Sequence, residues 1–175
     1  MNTYSKLLLA FLFLILILPP VVADEPPENG KHVEYYDNGQ KKSESHYKNG
    51  KLVSASVWKP DGQPCPITKI VDGSGILVDY FGNGKKKHEV HYKNGKKDGL
   101  WTRWHENGQK KQEQHFKNGT MDGHMTRWHA NGQKKEEYHY KNGKQDGLET
   151  KWDENGKKKS EVQYKGGKEI SRKEF

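Results

Sequence analysis

Residues 98–121 read DGLWTRWHENGQKKQEQHFKNGTM, and the same pattern returns 24 positions later as DGHMTRWHANGQKKEEYHYKNGKQ and again from 146 as DGLETKWDENGKKKSEVQYKGGKE. Self-similarity at a short fixed period marks a repeat architecture in which each copy is one supersecondary unit. Every copy holds two Asn-Gly pairs, or Gly166-Gly167 in place of the second, with an aromatic-bearing run between them. Asn-Gly is a strong hairpin signal, because both residues tolerate positive φ at little steric cost. The unit reads as a β-hairpin, and the chain as an array of them.

Outward from this stretch, an aromatic residue stands four positions before each turn glycine. Tyr35, Trp58, Tyr80, Trp104, Trp128 and Trp152 precede Gly39, Gly62, Gly84, Gly108, Gly132 and Gly156, at spacings of 23, 22, 24, 24 and 24. A second column lies eight residues past the glycine: Tyr47, Tyr92, Phe116, Tyr140 and Tyr164, broken only by Ile70. The expected fold is all-β, an elongated antiparallel sheet of about six tandem hairpins of 22–24 residues filling 29–175. One unit, 58–75, carries Pro60, Pro64 and Pro66. Proline lacks the donor that a ladder needs, so this unit should be an edge, a bulge or an excursion from the sheet.

Composition agrees with a thin sheet. Of 175 residues 30% are hydrophobic and 31% charged, less apolar material than a two-layer globule requires. Disorder and a shallow repeat protein are the two readings this leaves. Five Trp, nine Tyr and five Phe, mostly in fixed register, favour the second.

Register assigns the faces. A three-residue turn, Glu106-Asn107-Gly108, with Gly108 in the left-handed region, places Leu100, Thr102 and Trp104 on one side with Lys110, Gln112, Gln114 and Phe116. The other side collects Trp101, Arg103, His105, Lys111, Glu113 and His115, a charged face opposite an aromatic one. On it Lys, Glu and His alternate, as in Lys42-Glu44-His46 and Lys111-Glu113-His115, with Arg103, Arg127 and Lys151 on the adjoining strands. Such cross-strand pairs fix register and solubility more than stability.

The first 23 residues differ in kind. Lys6 precedes a twelve-residue apolar run, Leu7 to Leu18, then Pro19-Pro20 and the small residues Val21-Val22-Ala23. This is the layout of a secretory signal peptide cleaved after Ala23, and the run is shorter than the about 20 residues that span a bilayer. Asp24, not a cysteine, stands directly after the cleavage position, which argues against a lipoprotein anchor, so the expected product is periplasmic or secreted. Residues 24–28, DEPPE, form a short linker.

Chemistry is harder to find. His46, His91, His115 and His139 form one column and His105 and His129 another, but successive hairpins put equivalent residues about 9.5 Å apart, too far to share a metal ion. Glu89, Glu113, Glu137 and Glu161 recur with the scaffold, whereas a catalytic pair occupies one place. No catalytic residue, metal site or cofactor is implied. Cys65, the sole cysteine, reads as a semi-buried side chain in an irregular loop, with an intermolecular disulfide as the sharper alternative. The net charge of +8 suits anionic lipid, polysaccharide or an acidic protein face, and also simple solubility and protection of strand edges. Export argues against nucleic acid as a partner. The candidate binding surface is the row Arg103, Lys111, Arg127, Lys135, Lys151 and Lys159.

The pattern Y/W-x-x-N-G-Q-K-K-x-E-x-x-Y-K-N-G-K-x-D-G-x-x-x-x-W, tightest from Tyr80 to Tyr164, resembles the MORN-repeat variant of bacterial proteins often labelled as the antitoxin component of a YwqK-type toxin-antitoxin system. The resemblance implies hairpins side by side in a curved antiparallel sheet and a non-enzymatic role in protein or membrane contact. An antitoxin presumes an intracellular toxin, and the leader departs from that picture. Three functions are therefore expected in order: an exported protein-binding or scaffold module, an electrostatic binder of anionic lipid or polysaccharide at the cell envelope, and an antitoxin or immunity-type protein.

Overall fold

The computed structural model describes residues 27–175, so the expected signal peptide and most of the expected linker lie outside the described residues. The chain is all-β, with strands β1 (Gly30–Tyr35), β2 (Lys41–Lys48), β3 (Lys51–Val57), β4 (Lys69–Val71), β5 (Ser74–Tyr80), β6 (Lys86–Lys93), β7 (Lys96–Trp104), β8 (Lys110–Lys117), β9 (Thr120–Trp128), β10 (Lys134–Lys141), β11 (Lys144–Gln145), β12 (Gly147–Trp152), β13 (Lys158–Lys165) and β14 (Lys168–Glu174). They form one open antiparallel sheet in chain order, with β11 and β12 both paired to β10.

The two Asn-Gly pairs of a repeat close two different turns. In the first, the His105 N–H donates to the Gln109 carbonyl at 2.8 Å and the Gly108 N–H to the His105 carbonyl at 2.9 Å. Only Gly108 has positive φ, at 92°, as the three-residue turn predicts. The second is a two-residue turn between Lys117 and Thr120, with Asn118 at φ 51° and Gly119 at 86°, the combination of a type I′ turn.

Both sets of turns are tied to their neighbours along the sheet. Asn107 Oδ1 accepts from the Gln109 N–H within its own turn, and its Nδ2 donates to the Ala130 carbonyl of the next, each at 2.9 Å. Asn38 and Asn131 repeat this toward Pro60 and Glu154. Along the other side, Asp98 Oδ2 accepts from the Asn118 N–H at 2.9 Å, and the Lys97 carbonyl from the Gly119 N–H at 2.7 Å. The Asp-Gly pairs of the repeat therefore serve the following turn.

The faces differ from the sequence expectation, for one identifiable reason. Trp104 stands opposite Lys110 but Arg103 stands opposite Gln112, so Lys111 is an unopposed bulge residue. Lys42, Lys87, Lys135 and Lys159 occupy the same place in their units. One extra residue reverses every later side chain on the strand. Trp101 and Arg103 thus share a face with Gln112, Gln114 and Phe116, and the Trp101 and Phe116 rings meet edge to face at 6.3 Å. Leu100, Thr102 and Trp104 lie instead with Glu113 and His115. We call these the tyrosine face and the tryptophan face.

The buried side chains follow the same order. Val90, Gln114, Met125, Tyr138 and Val162 of the tyrosine face are buried in a row that crosses the sheet from β6 to β13, with Trp101 of β7 and Glu149 of β12 between them. Among the early units two apolar clusters form, Val57 with Cys65, Val78 and Tyr80, and Leu52 with Ala55 and Ile70. A pocket of about 280 Å³ is lined jointly by His32 of β1, Tyr47 of β2, Leu77 of β5 and Tyr92 of β6. Strands so far apart in order can share it only if the sheet curls around its tyrosine face.

Residues 58–68 are the excursion that their prolines imply. The first turn survives, with the Lys59 N–H bonded to the Gln63 carbonyl at 2.8 Å, but a single bridge from Trp58 to Pro64 replaces the returning strand. The unit is internal to the sheet, between β3 and β5, and not an edge. Cys65 is 5% exposed, fully rather than half buried, with Sγ 3.1 Å from Tyr80 Oη and 3.6 Å from Thr68 Oγ1. Burial pushes the thiol up, and the hydrogen bonds from Tyr80 and Thr68 outweigh it and leave it lowered. A thiol enclosed in this way is closed to a disulfide with a second chain.

Candidate binding faces

The tryptophan face is electrostatically closed. In a regular strand residues i and i+3 point to opposite sides. The bulge cancels this, so the first lysine of each Lys-Lys pair meets a glutamate three residues on: Lys41 with Glu44 at 2.8 Å, Lys86 with Glu89 at 2.7 Å, and likewise Lys110 with Glu113, Lys134 with Glu137 and Lys158 with Glu161. The same ammonium groups sit over the next aromatic of the column, Lys41 over Trp58 at 4.9 Å, Lys86 over Trp104 at 5.5 Å and Lys110 over Trp128 at 5.8 Å. Each such contact at an exposed site is worth roughly 0.5–1 kcal/mol. The glutamates expected to meet Arg103, Arg127 and Lys151 are on the opposite face from them, because of the bulge.

Glu44 reports this pairing most directly. Hydrogen bonds from Lys41 and then Lys31 hold its carboxyl down to about 2 from an ordinary 4.5. A depressed folded-state value contributes stability that is full above about pH 4.5 and is lost as pH falls through about 2. A carboxyl titration followed by NMR should therefore find Glu44 still charged near pH 3, and Lys41→Ala should return its midpoint toward the ordinary value. A wild-type midpoint at the ordinary value would refute the pairing.

Both histidine columns have structural partners. His105 and His129 each place Nε2 at the backbone carbonyl of the following tryptophan, Trp128 at 3.3 Å and Trp152 at 3.2 Å. Tyr36 does the same with its hydroxyl toward Trp58 at 2.9 Å. His91, His115 and His139 lie over Gly99, Gly123 and Gly147, where an added Cβ would come within 3.3, 3.2 and 2.8 Å of the respective histidine Cβ. The His124 and His139 rings meet at 3.9 Å; burial, then the neighbouring His139 and His115, lowers the His124 imidazole. Among the described residues no group of three or more His, Cys, Asp or Glu side chains is placed to hold a metal ion.

The tyrosine face carries the sequence-derived basic row, and the structure divides that row. Arg103, Lys111, Arg127 and Lys135 line one shallow groove of about 380 Å³ with His105, Gln112, Trp128 and His129. Arg127 is engaged by Glu136 at 3.0 Å. Arg103, Lys111 and Lys135 have no carboxylate within ion-pair distance among the described residues. Lys151 is outside the groove, drawn to Glu149 at 2.8 Å, a carboxylate only 4% exposed that also accepts from Gln145 Nε2 at 3.0 Å. The Glu149 hydrogen bond raises the Lys151 ammonium, which keeps that pair charged and occupied. Lys159 sits at the last bulge, also outside the groove. The bulge leaves Lys111 and Lys135 beside Arg103 and Arg127 and carries Glu113 and Glu137 to the opposite face. The recurrent Lys-Lys dipeptide was its only sequence signal, and alternation rules do not see it.

The family model for the MORN repeat variant matches residues 28–54, 74–94, 97–118, 121–142 and 145–165, and leaves out the stretch that contains the proline-rich excursion. Comparison with curated proteins finds no match.

Proposed function

Because the chain belongs to the MORN repeat variant family, whose repeats go with binding or scaffolding, we propose that it is an exported, non-enzymatic scaffold that holds an acidic protein partner against its tyrosine face. The carrying observation is the contrast between the two faces. On the tryptophan face each recurring lysine has its own glutamate, whereas Arg103, Lys111 and Lys135 converge on one groove without one. Unpaired cations in a concavity steer an anionic surface and fix its register. Export is supported by the leader, with its apolar run from Leu7 to Leu18 and small residues up to Ala23. A non-enzymatic role is supported by the repetition itself, since the polar side chains recur with the scaffold and bond to it.

The test is affinity capture from a cell-envelope fraction with tagged wild-type protein and with the variant Arg103→Glu, Lys111→Glu, Lys135→Glu. A defined partner should be retained by wild type, released by raised salt and lost in the variant. Equal capture by both proteins, or none by either, defeats the reading.

A further inference from the structure

Six type I′ turns form one long side of the sheet, and the closing pairs of four of them break a rule of sheet pairing. Lys48 stands opposite Lys51, Lys93 opposite Lys96, Lys141 opposite Lys144 and Lys165 opposite Lys168. Like charges directly opposite each other are destabilising. All of these lysines are exposed, and among the described residues only Lys165 has an ion-pair partner, Asp146 at 3.0 Å. Carboxylates stand on both long sides, Asp98, Asp122 and Asp146 on this one and Asp37, Glu106 and Asp153 on the other, but the closing pairs of the three-residue turns, such as Lys59 with Gln63 and Asp153 with Lys157, are never of like charge. A general need for soluble edges would treat the two sides alike. A local cost repeated along one side only points to a ligand that relieves it.

The geometry narrows the ligand. The turn amides of Asn118 and Gly119 are already spent on Asp98 and Lys97, so what is offered outward is ammonium charge. Successive turns follow at two strand spacings, about 9.5 Å. From the Lys93/Lys96 turn to the Lys165/Lys168 turn four successive turns each carry lysine, Lys117 singly opposite Thr120, at a spacing close to the screening length of about 8 Å at physiological salt, so their fields overlap. Adjacent strands in a sheet rotate by roughly 20–25°, so a row of hairpin tips winds about the sheet axis. A flat bilayer would touch only part of such a row, whereas a flexible chain can follow it. We propose that the lysine edge binds a linear acidic polysaccharide that follows the row of hairpin tips. A uronate chain suits it, being a flexible polymer with one carboxylate on each sugar.

This surface is separate from the groove of the tyrosine face, and the two readings fail separately. Polygalacturonate should bind the purified mature chain and lose at least about tenfold in affinity between low and moderate salt. Replacing the four lysine pairs by glutamine should weaken binding at least about tenfold while the melting temperature holds or rises, since the like-charge pairs are removed. Lysine to arginine at the same positions should keep binding, and Arg103→Gln, Lys111→Gln, Lys135→Gln should leave it unchanged. The proposal is overturned if the glutamine variant binds as tightly as wild type, if the groove variant loses binding equally, or if wild type prefers phosphatidylglycerol vesicles or duplex DNA to polygalacturonate.

Discussion

Gly75→Ala is expected to destabilise the protein by about 3 kcal/mol or more. Gly75 opens β5 at φ +135°, and an added Cβ would lie 1.8 Å from the Lys69 carbonyl oxygen. That oxygen belongs to β4, which is paired to Gly75 through Ile70, so it cannot yield without breaking the pairing. Gly39 provides the control. Its φ of +80° makes alanine strained there too, but nothing lies within 4 Å of the new atom. Gly39→Ala should therefore cost only about 1 kcal/mol. Urea unfolding of the two variants compares them directly, and equal midpoints would show that β4 and β5 do not approach as described.

Tyr80→Ala should cost about 3–5 kcal/mol, the range for removing a large buried aromatic. Tyr80 is 6% exposed, packs with Val57, Val78 and Cys65, and bonds to the Cys65 sulfur. Burial and that bond both raise its phenol. Tyr35 holds the same place in its own unit yet is 62% exposed, and Tyr35→Ala should change stability by no more than about 0.5 kcal/mol. A repeat alignment treats these two tyrosines as equivalent. The excursion at 58–68 separates them, because it brings Cys65 onto Tyr80. Thermal melts of both variants decide the matter, and a small effect at Tyr80 would dissolve the proposed core.

What could be read from the letters was whatever depends on local backbone chemistry. The period, the hairpins and the three-residue turn at Glu106-Asn107-Gly108 all follow from glycine and asparagine at fixed offsets, and the structure has them. The facing of side chains did not follow, because it depends on a count along two strands at once. Lys111 adds one to that count on β8 alone, and Phe116 moves to the face away from Trp104. A lysine in a bulge has the same letter as a lysine in a regular ladder. Arg103 and Lys111 did come out on one face as expected, since only the residues after the bulge, from Gln112 on, change sides. Lys151 lay beyond reach for another reason, as its partner Glu149 is a buried carboxylate that interrupts the apolar row of its neighbours.

The asparagine links between turns have a consequence for how such a chain can change in length. Each link runs one way, from the Nδ2 of one turn to the backbone carbonyl of the next, and Asn38 reaches Pro60 even where the following unit is irregular. The acceptor is main chain, so it is present whatever residue occupies the position, as Pro60, Ala130 and Glu154 illustrate. A duplicated copy of residues 98–121 would arrive with a donor for its successor and an acceptor for its predecessor, and no other residue would have to change. Tandem duplication in frame therefore breaks none of these links, and the close similarity of the last three units is the trace that such steps leave.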